Sequence, residues 1–425
     1  MNITSYIKEL LGLETVIEQP FLFEINENRQ QNPPNLGKGF TTSDDTNSSE
    51  SKVERYQQGL SPFVSKVKAP KVSPTIPATY NLIILDESGS MRSVREDVVS
   101  GCNKLLQSIR ETARKMVEIK QYVSIFCFDT SRSRYIFYNE SSENTRKLTM
   151  ADYYPNAYTP LYDAIGHTVT QFDELIDNNK SVGVVTIITD GHENASHQWN
   201  YHMVIDLIYQ KKRRGWVFSL ISADIDVETI ATDLGIDNYL KFEKTKESIE
   251  KMFEKKRLSD QAYNAKRCYV ERMRFSGCLP EEECKIVYEK MNNNYFISEE
   301  RIAPDVIHQL AEDEIFVFAS DIQGLHKGKT SLMALEHFGA IKGQAEGIQG
   351  QSYAIPIIGN SNDKLKTAIE RFNEYVVIHP EKKFILSGTR CEATGYIVEQ
   401  EAKQFRQAYS FGNVYIPREY LKYMN

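Results

Sequence analysis

Four runs of apolar, largely β-branched residues recur between positions 80 and 224, and each has the length of a β-strand. They are YNLIILD (80–86), YVSIFCFD (122–129), GVVTIITD (183–190) and WVFSLISAD (216–224). Because these runs are apolar on both faces, they favour central strands of a parallel sheet covered by helices. Helical patterns separate the runs, at 94–116, 161–176, 202–214 and 226–234. The alternation predicts a doubly wound parallel-sheet α/β domain over residues 78–244.

A second alternation of strand and helix patterns follows after a charged stretch. Residues 245–298 are helical in character and predict a helical connector. From residue 299 the strand-like runs are EIFVFAS, SYAIPII and KKFILSG, and the helical runs between and after them are KTSLMALEHFG, LKTAIERFNEYVVIH and TGYIVEQEAKQFRQAYSF. This pattern predicts a smaller α/β domain over residues 299–425.

Residues 1–77 have a different character from the rest of the chain. Apolar residues at 3, 6, 7, 10 and 11 have helical spacing and predict one short amphipathic helix. The remainder is polar and rich in Ser, Asn, Pro and Gly, which predicts a disordered linker. Two interpretations of the helix stay open, a docking peptide for a partner and a helix packed on its own domain.

Composition narrows the class of protein. The chain has 425 residues, 51 Lys plus Arg and 58 Asp plus Glu, for a net charge of −7. This balance argues against nucleic acid as a partner, because phosphate binding needs a basic face. No run approaches the roughly 18 apolar residues of a membrane span, and the start lacks the basic region of a secretory signal. None of the six cysteines forms a C-x-x-C pair, so we expect a reduced, cytoplasmic protein.

Small oxygen-bearing side chains collect where the predicted strands of the first domain end. Asp86, Ser88 and Ser90 directly follow the first strand, Thr159 precedes a helix, and Asp190 follows the third strand. Ligands of doubly wound sheets bind at the carboxyl ends of the strands. Two carboxylates and three hydroxyls form an oxygen-only set of the kind that Mg²⁺ (or Mn²⁺) accepts while it retains waters.

This pattern resembles the metal-ion-dependent adhesion site of von Willebrand factor A (vWA) domains. D-x-S-x-S, a Thr before a helix and T-D-G after a strand occur in the family's order, and YTPLYDAIG and IITDGHENAS are similar to bacterial intracellular members. The resemblance spans residues 80–243. It implies a Mg²⁺-dependent protein-binding module in which a partner's Asp or Glu ligates the ion, with the five residues named above as ligands or as their supports. The alternative is a domain that kept the fold and binds no metal.

Other polar residues near these strands have simpler interpretations. Strand-end and helix-cap roles account for three aspartates: Asp129, Asp163 and Asp224. Three histidines follow at five-residue spacing, which does not align them on one helix face: His192, His197 and His202. We expect a polar surface loop there rather than a second metal site.

The second domain carries a glycine-rich loop. GLHKGKT does not satisfy the P-loop motif, because three residues rather than four separate Gly324 from Gly328. The segment from EIFVFAS to SYAIPII, with FILSGTRCEATGY, instead resembles a macrodomain-like family of bacteria and phages over residues 299–423. The resemblance implies binding, and sometimes hydrolysis, of an ADP-ribose-type ligand. The candidate positions are Asp321, Gly324, Gly328, Gly388, Thr389 and Gly395. The chain departs from the family at Asp321, where relatives have Asn in G-S-N.

Taken with both resemblances, the sequence favours a binding protein over an enzyme. We expect an adaptor or scaffold that clasps a partner's carboxylate through Mg²⁺ and carries a second module for an ADP-ribose-type ligand. Two-module proteins of this kind are similar to those of bacterial stress response and phage defence. The alternative is an ADP-ribosyl hydrolase that the vWA-like domain targets to its substrate.

Overall fold

The computed structural model describes residues 77–176, 181–223, 226–359, 361–388 and 398–424. The predicted amino-terminal helix and linker lie outside the described residues. Both sheets described below belong to one compact unit, Ala69–Asn425.

Six strands form the first sheet, in the order β3-β2-β1-β4-β5-β6. All neighbours are parallel except β2 and β3, which are antiparallel. The strands are β1 Ala78–Asp86, β2 Lys120–Phe128, β3 Ser133–Ser141, β4 Ser181–Thr189, β5 Val217–Ser222 and β6 Asn238–Lys241. The order reverses between β1 and β4, which is the arrangement of a doubly wound sheet with its ligand edge at the reversal.

Helices cover both faces of this sheet, as the predicted α/β class requires. They are α1 Arg95–Lys115, α2 Leu161–Asp173, α3 Tyr201–Arg213 and α4 Val227–Asp233, and a 3₁₀ helix, Gly89–Val94, leads into α1. The strands alternate their side chains between the two layers. In β1, Leu82 and Ile84 pack in one core with residues of α2 and α3. Ile83 and Leu85 pack in the other core with residues of α1.

The predicted helical connector consists of two helices, α5 Lys246–Phe275 and α6 Glu281–Asn293. The side chain of Thr245 caps α5 by accepting the backbone N–H of Ser248. Phe253 in the first half of α5 belongs to the core of the first sheet. Tyr269 in the second half lies 5.3 Å, between ring centroids, from Phe411 of the second sheet's layer. None of the helices in the described ranges is both long and apolar enough to cross a bilayer.

A buried polar network joins α5 to the first residues of β1 and β2. Arg267 donates to the carbonyl of Ala78 at 2.9 Å and to Thr79 Oγ1 at 2.6 Å. Asn264 Oδ1 accepts from Thr79 Oγ1 at 3.1 Å and from Gln121 Nε2 at 2.8 Å. Since buried polar groups need partners, α5 and the entry ends of β1 and β2 depend on each other.

The second sheet has five strands in the order β11-β10-β7-β9-β8. They are β7 Glu314–Asp321, β8 Gly347–Gln349, β9 Ser352–Ile358, β10 Lys383–Leu386 and β11 Val414–Tyr415, and only β8 and β9 pair antiparallel. The helices are α7 Lys329–His337, α8 Asn362–Ile378, α9 Val398–Gln404 and α10 Arg406–Ser410, followed by a 3₁₀ helix, Arg418–Tyr423. Aromatic pairs join sheet to helices, such as Tyr353 with Phe372 of α8 at 5.1 Å.

The structure confirms the predicted α/β class with two mostly parallel sheets, and it adds four strands that the pattern did not reveal. All four lie at sheet edges: β3, β6, β8 and β11. The first of these is partly exposed along most of its length, so its sequence lacks the continuous apolar run of a central strand. The others have four, three and two residues, which is too short for a periodicity.

Gly101 lets α1 pack directly against Phe253 of α5. A Cβ atom at this position would lie 1.9 Å from the Phe253 ring. We therefore expect Gly101→Ala to lower the free energy of unfolding by about 1–3 kcal/mol through overpacking, although alanine is the better helix former. Urea denaturation measures the change. Ser100→Ala, exposed on the same helix, serves as the control and should change stability by less than about 0.5 kcal/mol. A G101A chain as stable as the wild type would contradict the close packing.

Candidate functional site

The turn after β1 gathers three of the predicted site residues. Asp86 is the last residue of β1 and is 0% exposed. The backbone N–H of Ser88 donates to Asp86 Oδ1 at 2.7 Å, which folds the turn back on the carboxylate. The Ser88 and Ser90 hydroxyl oxygens lie 3.0 Å apart. Three oxygen side chains therefore share one tight turn at the edge of the sheet.

The end of β4 joins this turn, because β1 and β4 are parallel neighbours. Ser90 Oγ donates to Asp190 Oδ1 at 2.6 Å. Thr189 Oγ1 donates to Asp86 Oδ2 at 2.6 Å. Each aspartate thus accepts a hydroxyl from the opposite strand end, so the two carboxylates belong to one cluster.

Thr159 completes the cluster from the loop before α2. Its side chain is almost fully buried. A Cβ built on Gly191 would lie 3.5 Å from Thr159 Oγ1 and 3.9 Å from Ser90 Oγ. Because glycine has no side chain there, these oxygens border a space that Gly191 leaves open. All five residues predicted for the metal site therefore meet at one edge of the sheet.

The cluster is anionic and partly desolvated. Burial raises the pKa of Asp86 to about 6, and the charge of Asp190 adds to that rise, while hydrogen bonds from Thr189 and Ser88 oppose it. The Asp190 side chain is 0% exposed and its Oδ2 lies 2.6 Å from Lys244 Nζ. Two carboxylates face one ammonium group, so a negative charge remains to be balanced.

Glu87, next to Asp86 in the chain, does not join the cluster. Its side chain is 1% exposed and forms a salt bridge with Arg134. A second guanidinium nitrogen of Arg134 donates to Glu87 Oε1 at 3.0 Å, and the backbone N–H of Tyr154 donates to the same carboxylate. Arg134 therefore neutralises the Glu87 carboxylate.

Two acidic side chains hold the loop 191–199 in place through hydrogen bonds. Asp163 accepts the backbone N–H groups of His197, Gln198 and Trp199 at 2.6–2.9 Å. Glu193 accepts the backbone N–H of Tyr162 at 2.9 Å and thereby ties the loop to the start of α2. Sequence reasoning gave Asp163 a helix-cap or strand-end role and gave Glu193 none, because their partners depend on how the loop returns.

The loop 153–159 forms a rim beside the cluster. The Tyr153 hydroxyl donates to the carbonyl of Asp86 at 2.7 Å, and Gly89 N–H donates to the carbonyl of Ala157 at 3.0 Å. Two tyrosines of this loop project outward, with Tyr154 60% and Tyr158 69% exposed. The rim therefore presents aromatic surface next to the anionic cluster.

The remaining predicted polar residues have structural roles or lie outside the description. Asp129 Oδ1 accepts the backbone N–H groups of Ser131 and Arg132, both at 2.6 Å, as a turn aspartate does. Asp224 is outside the described residues. The three histidines are all exposed: His192, His197 and His202. Within the described ranges, no group of three or more His, Cys, Asp or Glu side chains could hold a metal.

The donor chemistry of the cluster fits a hard divalent cation. The side chains offer only oxygen, from two carboxylates and three hydroxyls, as Mg²⁺ prefers. The unbalanced negative charge and the space beside Gly191 suit a cation. Ser90 is exposed, so the cluster has an open side toward solvent.

The second sheet uses its strand-end aspartate differently. Asp321 accepts the backbone N–H groups of Gln323, Leu325 and His326 at 2.9–3.1 Å. Although desolvation alone would raise it, these backbone donors hold the pKa of Asp321 below its ordinary value. The Asp321 carboxylate therefore stabilises the loop that follows it.

The other candidate positions of the second sheet border the same edge. Gly324 has a φ of +66°, and a Cβ there would lie 2.7 Å from the backbone of Gly343. Gly328 is the N-cap of α7. Gly388 follows β10, and its Cβ position would lie 3.6 Å from a carboxylate oxygen of Glu419. Thr389 and Gly395 lie outside the described residues.

Comparisons with known proteins give weak structural matches. No family model matches the chain, and no curated protein does. The chain is similar to the open form of the pilus adhesin SpaC from Lactobacillus rhamnosus GG, with 12% identity and a TM-score of 0.34, over 43% of this chain and 30% of the adhesin. It is similar to the SpRpn10 VWA domain, with 9% identity and a TM-score of 0.31, over 42% of this chain and 93% of that domain. It is also similar to the TFIIH p34 N-terminal domain, with 10% identity and a TM-score of 0.26, over 42% of this chain and 95% of that domain.

These scores are too low to carry an argument, and the fold class rests on the strand order of the chain itself. The chain spans less than a third of the SpaC adhesin. The architecture is α/β, with two mostly parallel sheets flanked by helices. A fold does not assign a function, so the function is argued from the site.

Asp163 offers a direct test of the loop architecture. We expect Asp163→Ala to lower the free energy of unfolding by about 2 kcal/mol or more, because three backbone N–H groups lose a charged acceptor. Hydrogen exchange of the His197, Gln198 and Trp199 amides should also accelerate. Asp206→Ala, exposed on α3, is the matched control. Unchanged exchange at those three amides in D163A would show that the loop is held by other contacts.

Proposed function

We propose that the chain is a binding protein whose first sheet holds Mg²⁺ (or Mn²⁺) and uses it to ligate an Asp or Glu side chain of a protein partner. The residues that would hold the ion are Asp86, Ser88, Ser90, Thr159 and Asp190. The observation that carries the proposal is the meeting of the β1 and β4 ends, where Ser90 Oγ lies 2.6 Å from Asp190 Oδ1. When bound, the ion supplies a positive charge with open coordination positions.

The partner's side chain is inferred from the charge and exposure of the site. Two carboxylates already supply the charged ligands, and an incoming carboxylate would complete the shell of a divalent ion. Ser90 is exposed, so an outside group can approach the cluster. Tyr154 and Tyr158 project from the neighbouring rim, and exposed tyrosines are frequent anchors of protein interfaces. We infer a partner that presents an acidic residue beside apolar surface.

Thr159 provides a clean test of metal binding. We expect Thr159→Val to weaken Mg²⁺ affinity at least about tenfold, since one oxygen donor is lost with little change of volume. Calorimetric titration of the full chain with MgCl₂ measures this. The control is Thr170→Val, because the Thr170 hydroxyl is buried and makes no hydrogen bond in the described part of the chain. Equal Mg²⁺ affinities in T159V and T170V would remove Thr159 from the site.

The bridging role is tested by capture of a partner. We expect Mg²⁺ to be required, so that EDTA releases a partner retained by the wild-type chain and Mg²⁺ restores it. Asp86→Ala should fail to retain the same partner even with Mg²⁺, whereas Asp206→Ala should retain it. Retention of that partner by D86A would show that the metal-bridge mechanism is wrong.

For the second sheet we propose, on the macrodomain-like resemblance, an ADP-ribose-type ligand at the loop 321–328. Lys327 and Lys329 are exposed beside the Gly328 N-cap of α7, where backbone N–H groups favour an anion. Asp321 and Glu419 oppose this with negative charge. The alternative, hydrolysis of ADP-ribosylated substrates, needs a general base at this edge, and both Asp321 oxygens already accept backbone N–H groups.

Calorimetry of ADP-ribose against the full chain tests this second site. We expect binding in the micromolar to millimolar range, reduced by Lys329→Met and unchanged by Lys364→Met, an exposed lysine of α8. Absence of binding at millimolar ADP-ribose would leave the second sheet as a scaffold. The stress-response or phage-defence context belongs to this proposal and rests on the family resemblances. The cytoplasmic setting is also proposed, and it rests on the cysteine pattern.

A further inference from the structure

Lys244 places a second cation at the anionic cluster. Its Nζ lies 2.6 Å from Asp190 Oδ2. The same ammonium donates to the carbonyl of Ser90 at 3.4 Å. The lysine side chain is 38% exposed, whereas the Asp190 side chain is 0% exposed. Lys244 therefore reaches from the surface into the cluster and contacts two of the residues assigned to the metal.

The backbone around Lys244 is held on both sides. Before it, Phe242 N–H donates to the carbonyl of Ser222 at 3.0 Å, which fixes the chain to the end of β5. After it, Thr245 Oγ1 accepts the backbone N–H of Ser248 at 3.3 Å and begins α5. Hydrogen bonds on both sides of Lys244 therefore hold its backbone beside the cluster.

An ammonium on Asp190 Oδ2 and a divalent ion in the cluster compete for the charge of the same carboxylate. A magnesium ion lies about 2.1 Å from its carboxylate ligands, so an ammonium retained on Asp190 would lie within a few ångströms of it. Two cations at that separation repel each other strongly in a partly desolvated site. The contact of Lys244 with Asp190 therefore opposes the binding of Mg²⁺ at this carboxylate.

We propose that Lys244 is a counter-ion that neutralises Asp190 in the metal-free chain and is displaced when the divalent ion binds. The inference rests on the proposed metal site and goes beyond it, because it names a residue that sets the affinity of that site. In the metal-free state Lys244 stabilises the buried carboxylate. In the metal-bound state the flexible lysine side chain moves into solvent, which its partial exposure permits.

The experiment removes the charge of Lys244 and measures both states of the full chain. Calorimetric titration with MgCl₂ should give roughly two- to fivefold tighter affinity for Lys244→Met and Lys244→Gln, which corresponds to the strength of a partly exposed ion pair. Lys244→Arg keeps the charge and should bind Mg²⁺ about as the wild type does. Lys246→Met, exposed two residues further on, removes the same net charge away from Asp190 and is the matched control.

Thermal unfolding in EDTA supplies the second readout. Without metal, K244M and K244Q should unfold at lower temperature than K246M, because the Asp190 carboxylate loses its counter-ion. Saturating Mg²⁺ should restore their melting temperatures to that of K246M.

Two outcomes overturn the proposal and separate it from the metal site itself. If Mg²⁺ binds the wild type, K246M and both neutral Lys244 variants with equal affinity, Lys244 does not compete for Asp190, and the metal-bridge function stands. If Mg²⁺ binds none of these chains, the competition and the metal-bridge function both fail.

Discussion

A buried carboxylate at the end of a fully buried strand is the constraint that organises the first sheet. Asp86 is 0% exposed, and an ion removed from water costs several kcal/mol unless polar groups replace the water. The structure meets this cost with groups from separate elements. Ser88 supplies a backbone N–H and Thr189 a hydroxyl. The adjoining Asp190 is balanced by Lys244. The ends of β1 and β4 and the segment after β6 therefore meet at two buried carboxylates.

Much of this arrangement follows from sequence because parallel strands bring their carboxyl ends to one edge. Asp86 and Asp190 each end an apolar run, so their proximity follows once the two runs are read as neighbouring strands. Lys244 does not end an apolar run, so nothing in the sequence predicts its place at the cluster. Its contact depends on β6, a four-residue edge strand, and a lysine after a short strand looks like any surface lysine. The contacts of Asp163 are equally hard to predict from the sequence, because its backbone partners lie more than thirty residues further along the chain.

The two sheets show why a strand-end aspartate does not by itself make a site. Asp86 and Asp321 both end an apolar central strand and look equivalent in the sequence. At Asp321 the loop supplies three backbone N–H groups, and the pKa of the carboxyl falls. At Asp86 desolvation prevails and its pKa rises, partly because Asp190 adds a second charge from the adjoining strand end. The distinguishing feature is burial, because Asp86 is 0% exposed, whereas Asp321 is partly exposed and accepts three backbone N–H groups.

The network between α5 and the start of β1 bears on how such a protein can be divided or recombined. Arg267 and Asn264 satisfy the carbonyl of Ala78 and the hydroxyl of Thr79, yet they lie beyond the last strand of the first sheet. A fragment that stopped after β6 would leave those groups without their donors and acceptors and would expose the apolar surface under Phe253. The first sheet therefore needs the helix that follows it to complete its hydrogen bonds. A division of the chain that preserves these contacts has to keep α5, including Arg267, together with β1.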